Sequence, residues 1–271
     1  MAAENLAEYW YHRALSLTDE SQYLECFQCL ERAVSADPNH VQALYAIAHH
    51  YQHGQGVEKD WPEAAKWFRK AAELGFSPAQ DKLGLMYEHG LGVAKNWREA
   101  AKWYLSAADK GNADAQYHLG VLYGNGEAFP VDYCEAAKWC RKAAEQGHSD
   151  AQSTLGRMYM VGVDGIPRDA EEAAKWLMLA ADNGDAESQF QLGLLFEEGD
   201  GVSQDLEEAA RYYSLSAEQG YAEAQRGLQR IDMILGRYTI SENPLPGEED
   251  WEYQIRRTVE STRFSSTRKS R

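Results

Sequence analysis

Between residues 43 and 220 small and apolar side chains recur three and four apart, in short blocks that glycines interrupt. That spacing predicts a run of amphipathic helices, because only a period near 3.6 puts such residues on one face. The blocks repeat. Shifting the sequence by 36 lays the segment from Ala79 over the one from Ala43, and the segment from Ala115 over both. A fourth copy starts at Ala151 with one extra loop residue, a fifth at Ser188, and a half copy, AEAQRGLQRIDMILG, follows.

Each copy has two halves. The first reads A-x-x-x-L-G-x-x-Y; Gly84, Gly120, Gly156 and Gly193 follow its Leu. A mid-helix Gly costs about 1 kcal/mol relative to Ala, so its recurrence in one register predicts a neighbouring helix too near for a Cβ. Glycines at 54/56, 90/92, 162/165 and 199/201 then end the helix. The second half reads E-A-A-K-W-x-x-x-A-A and stops at Gly75, Gly111, Gly147, Gly184 or Gly220. Asp60, Asn96, Asp132, Asp169 and Asp205 stand where its N-cap belongs. In the third copy GEAFPVD replaces G-x-G-V-x-x-D, leaving that loop's path open.

These motifs resemble the Sel1-like repeat of the tetratricopeptide superfamily, over roughly residues 41 to 235. The resemblance implies an all-α fold, a right-handed α-solenoid of paired antiparallel helices. Residues 1–40 fit one leading tetratricopeptide-like pair through Trp10, Ala14, Cys26, Leu30, Ala33 and Pro38; residues 41–237 form five Sel1-like repeats continuous with it. Residues 238–271 divide into a linker, an amphipathic segment around Trp251, Ile255 and Val259 expected to cap the array or dock on a partner, and a basic tail.

In such solenoids the first helix of each pair lines a concave surface. The slots that face it by this analogy are Tyr11, Leu15, Tyr45, His49, Asp81, Leu85, Tyr117, Val121, Ser153, Arg157, Phe190 and Leu194, with Gln52, His53, Glu88, His89 and Glu197 at the edge. The set is aromatic, aliphatic and lightly charged, which points to a protein or peptide ligand. The opposing expectation is that the rings bury against one another. The family implies a non-enzymatic adaptor or scaffold; an immunity-type inhibitor of a basic protein is an alternative.

Charge narrows the partner. With 43 Asp and Glu against 27 Lys and Arg the net charge is −16, which disfavours nucleic acid and favours a basic protein. Residues 251–271 run the other way, with six bases against two acids. No apolar run is long enough to span a membrane and no secretory signal opens the chain. Four cysteines make no disulfide framework, so a reduced, cytoplasmic chain is expected.

Two groups invite a chemical reading. His49, His50 and His53 cluster in HHYQHGQG, and Cys26 and Cys29 form a CxxC pair. His49 and His53, one turn apart, present half of a metal site, and with Cys26 and Cys29 define a metal- or redox-linked alternative. Each nevertheless occupies an ordinary repeat slot, so neither metal nor cofactor is expected. No phosphate-binding loop or nucleophile motif occurs, and the chain is read as no enzyme.

Overall fold

The computed structural model describes residues 2–17 and 19–237; the amphipathic segment and basic tail lie outside them. Thirteen α-helices are present among the described residues: α1 Ala2–Leu15, α2 Tyr23–Ala36, α3 Val41–His53, α4 Trp61–Glu73, α5 Ser77–His89, α6 Trp97–Ala108, α7 Ala113–Asn125, α8 Tyr133–Glu145, α9 Ser149–Val161, α10 Ala170–Asp182, α11 Ala186–Glu198, α12 Leu206–Glu218 and α13 Ala222–Ile234. They form two compact units. Of the described residues, one holds those up to Ala151 with Asp164–Ile166; the other holds Gln152–Val163 and those from Pro167 to Arg237.

In the first unit each helix from α1 to α8 packs on the next in chain order, and in the second unit α10 to α13 do the same. This nearest-neighbour packing is that of an α-solenoid, in which the core is continuous but one-dimensional. The core is built from the repeat's small and apolar positions. Ala64, Ala71, Ala79 and Leu83 are fully buried, as are their equivalents Ala100, Ala107, Ala115 and Leu119.

The caps form as the sequence predicts. Asp60, Asn96, Asp132, Asp169 and Asp205 each accept a backbone N–H of the helix that follows, an arrangement worth about 1 kcal/mol apiece. The mid-helix glycines accept a neighbour. A Cβ on Gly84 would lie 2.6 Å from the Tyr104 ring, and one on Gly193 2.5 Å from that of Tyr213.

The second glycine of the turn fastens one repeat to the one before it. Gly56, Gly92 and Gly201 have φ near +70°, and a Cβ there would fall 2.2–2.3 Å from backbone atoms of Tyr23, Trp61 and Ala170 respectively. Those three residues begin α2, α4 and α10, so each turn sits on the start of the preceding second helix. In the third copy Ala128 stands at this position with no positive φ, and Phe129 stacks on Tyr123 with ring centres 4.4 Å apart.

Candidate interaction face

The first helices and the residues that cap them carry most of the side chains expected to meet a partner. In the first unit Tyr11, Tyr45, His49, Leu85, Tyr117 and Val121 are half-buried and Leu15 is 55% exposed. In the second unit Phe190 and Leu194 are half-buried and Arg157 is exposed.

Two of the expected slots point inward instead. Asp81 is 2% exposed, and its carboxylate meets His118 Nδ1 at 3.0 Å. Ser153 is 8% exposed; its hydroxyl donates to Asp185 at 3.1 Å and receives Ser188 Oγ at 3.0 Å. Burying a carboxylate or hydroxyl is costly without such partners, so both residues serve the packing of neighbouring repeats and are not offered to a ligand.

The aromatic slots are held by the N-cap residue of the next first helix. Tyr45 meets Phe76 at 5.3 Å, Tyr117 meets His148 at 4.7 Å, Phe190 meets Tyr221 at 5.1 Å and Tyr11 meets His40 at 4.9 Å, ring centre to ring centre. His40, His148 and Asn112 also use a side-chain atom to accept a backbone N–H at the start of their helices. The rings are thus fixed by repeat-to-repeat stacking and keep part of their surface open.

A second set of contacts went unread in the sequence. Gln80, Gln116 and Gln189, all at most 5% exposed, donate to the carbonyls of Ala72, Ala108 and Ala181 in the second helix just before them. Gln116, Gln152 and Gln189 in turn accept from Gln146, Asn183 and Gln219. These amides satisfy helix C-termini that packing hides from water. The signal was available: a Gln follows the motif's first small residue at 80, 116, 152 and 189.

The histidine cluster divides. His50 is buried; its Nδ1–H donates to the Gln55 carbonyl at 2.6 Å and its Nε2 lies 3.5 Å from Cys26 Sγ. Burial pushes the Cys26 thiol up and the His50 imidazole down, which keeps both neutral. His49 and His53 stack with ring centres 5.7 Å apart. Burial, then the nearness of His53, Lys82 and His50, lowers the His49 pKa to about 4. Among the described residues no three His, Cys, Asp or Glu side chains are grouped to hold a metal ion. All four cysteines are free thiols; Cys134 alone is exposed, and burial pushes Cys140 up to about 12. All eight histidines fall between residues 12 and 148.

The helix pairs and their glycine fasteners define a repeat α-solenoid. The Sel1 repeat matches residues 1–19, 41–76, 77–112, 113–148, 149–185 and 186–221, and the chain belongs to the Sel1 repeat family. The first match covers α1 and the turn after it, not α2, so the leading pair is only partly of this type. No curated protein matches the chain. A Sel1 repeat protein from Oxalobacter formigenes is 31% identical, with TM-score 0.73, over 92% of this chain and 96% of its own. The protein c5321, a protective antigen present in uropathogenic Escherichia coli strains, is also 31% identical, with TM-score 0.76, over 87% of this chain. This chain spans about half of c5321, 53% of its length. Pseudomonas aeruginosa pilF, 18% identical with TM-score 0.60 over 83% of this chain and 98% of its own, shares the fold alone. No described helix is long and apolar enough to cross a membrane.

Proposed function

We propose that the chain is a non-enzymatic adaptor that binds a protein or peptide on the face of its first helices. The observation that carries this reading is the recurrence, in the first-helix slots of the first unit, of apolar side chains that keep part of their surface open: exposed Leu15, half-buried Leu85 and Val121, and the half-buried rings of Tyr11, Tyr45 and Tyr117. Rigid amphipathic rings and aliphatic side chains give contact area at low entropic cost. In the second unit Phe190, Leu194 and Arg157 continue the same repeat positions. The free cysteines support work in a reducing compartment such as the cytoplasm.

The test is affinity capture with the full chain, comparing wild type with Leu15→Glu/Val121→Glu and with Leu74→Glu/Leu179→Glu. The latter two residues are exposed apolar positions off the first helices, at 45% and 46%. The expected result is a partner lost with the first variant and kept with the second, both retaining wild-type helicity. A partner kept by both, or lost by both, removes the first-helix face from the reading.

A further inference from the structure

Charge is not shared evenly between the two layers of the first unit. The first helices α1, α3, α5 and α7 carry Glu4, Glu8, Asp81, Glu88 and Asp114 against Arg13 and Lys82, a net of −3 with histidine neutral. The second helices α2, α4, α6 and α8 carry nine Lys and Arg against seven Asp and Glu, a net of +2. Arg13 is itself turned to Glu25 on α2, at 2.9 Å. The first-helix layer is therefore the more acidic one; Asp81 and Glu88 are turned inward to His118 and Tyr104, and Glu8 and Asp114 keep side chains 58% and 61% exposed.

The carboxylates gather around the aromatic slots. Asp114, with its side chain 61% exposed, lies one turn before Tyr117 on α7. Its carboxylate is 3.4 Å from His148 Nε2, and the His148 ring is the one that Tyr117 packs against. Asp81 is spent on His118, whereas Asp114 faces water. An aromatic ring beside a solvent-facing carboxylate attracts an organic cation through both quadrupole and charge.

We propose that the first-helix face of the first unit takes a peptide presenting a Lys or Arg side chain, with Asp114 as its charge partner and Tyr117 as the ring beside it. This rests on the reading of that face as protein-binding and names the chemistry of the ligand.

The probe is a random dodecapeptide display library panned against the full chain at physiological salt. The selected peptides are expected to be enriched in Lys or Arg beside apolar residues. The leading peptide, synthesised with citrulline for Arg or norleucine for Lys, is expected to bind at least tenfold more weakly. Asp114→Asn is expected to lose at least tenfold for the charged peptide and little for the neutral one. Glu135→Gln, on the second-helix layer, is expected to change neither.

Peptides selected without excess Lys or Arg would overturn the cation site and leave the protein-binding face standing. An equal loss with Glu135→Gln would overturn it in favour of diffuse attraction to an acidic body. Failure of the folded chain to select any peptide would sink both readings together.

Discussion

Tyr104 donates its hydroxyl proton to Glu88 across 2.6 Å, and in the last repeat Tyr213 donates to Glu197 across 2.7 Å. Both pairs join residues sixteen apart, from the second helix back to the first. At the same offset Phe68 stands with Gln52 and Cys140 with Gly124, so in those copies the hydroxyl and the carboxylate are absent together. Burial and the hydrogen bond raise the Tyr104 hydroxyl far above its ordinary value. Tyr104→Phe is expected to cost about 1–2 kcal/mol, because it leaves a half-buried carboxylate short of a donor. In a double-mutant cycle with Glu88→Gln, read by urea unfolding, the two changes should be coupled by about 1 kcal/mol. Strictly additive losses would mean the bond contributes nothing.

The turn glycines should separate into two classes. Gly92→Ala forces a left-handed residue against the Trp61 carbonyl, and about 3 kcal/mol is expected from strain and clash together. Gly111 has φ +85° but nothing within 4 Å of its missing Cβ, so Gly111→Ala should cost only about 1 kcal/mol. Thermal melting of the two variants gives the ranking. Equal losses would show that the turn does not fasten the repeats.

Acid should weaken the first unit through His49. Its folded pKa of about 4 lies below its ordinary value of 6.5. Between those values the unfolded chain binds more protons than the folded one, so stability falls as pH drops through that window. Leu85 and Leu194 occupy the equivalent slot, and His49→Leu should flatten the slope of melting temperature between pH 6.5 and 4.5. An unchanged slope would place the acid sensitivity elsewhere.

Thiol chemistry tests the redox alternative. In native protein at pH 8 Cys134 should react with an aromatic disulfide within minutes. Cys26, Cys29 and Cys140, at most 9% exposed, should react only on unfolding. Fast reaction of Cys26 and Cys29 would revive a redox role for that pair.

The buried amide row has a gap. Gln80 Oε1 is buried without a hydrogen-bond partner, and Lys110, which stands where Gln146 and Gln219 stand in later copies, instead donates to the Gly75 carbonyl at 2.6 Å. Lys110→Gln should complete the row and raise the melting temperature by a few degrees, in line with one buried hydrogen bond. A lower melting temperature would show that the lysine contact matters more.

What the sequence reveals follows the range of each interaction. The N-caps at Asp60 and Asp205, the turn glycines and the tight glycines such as Gly84 are local or recur at a fixed period, and self-alignment exposes them. Asp81 was misplaced because the residue that turns it inward, His118, comes from the next first helix, 37 positions on. Nothing in the register of α5 announces that partner. The Tyr45–Phe76, Tyr117–His148 and Phe190–Tyr221 contacts recur 31 residues apart. Both partners vary from copy to copy, so a search for shared residues passes over them. The buried glutamines were visible in the alignment, but a polar letter beside an Ala reads as surface until the hidden carbonyls behind it are counted.

The placement of every histidine between residues 12 and 148 gives the chain a spectroscopic label of its own. Imidazole proton resonances would arise from the first unit alone, since residues 152–271 contribute none. His148, against Asp114, and His118, against Asp81, would sit inside the proposed contact region. A titration followed at those rings would therefore report ligand arrival on the first unit without any isotope or dye being added.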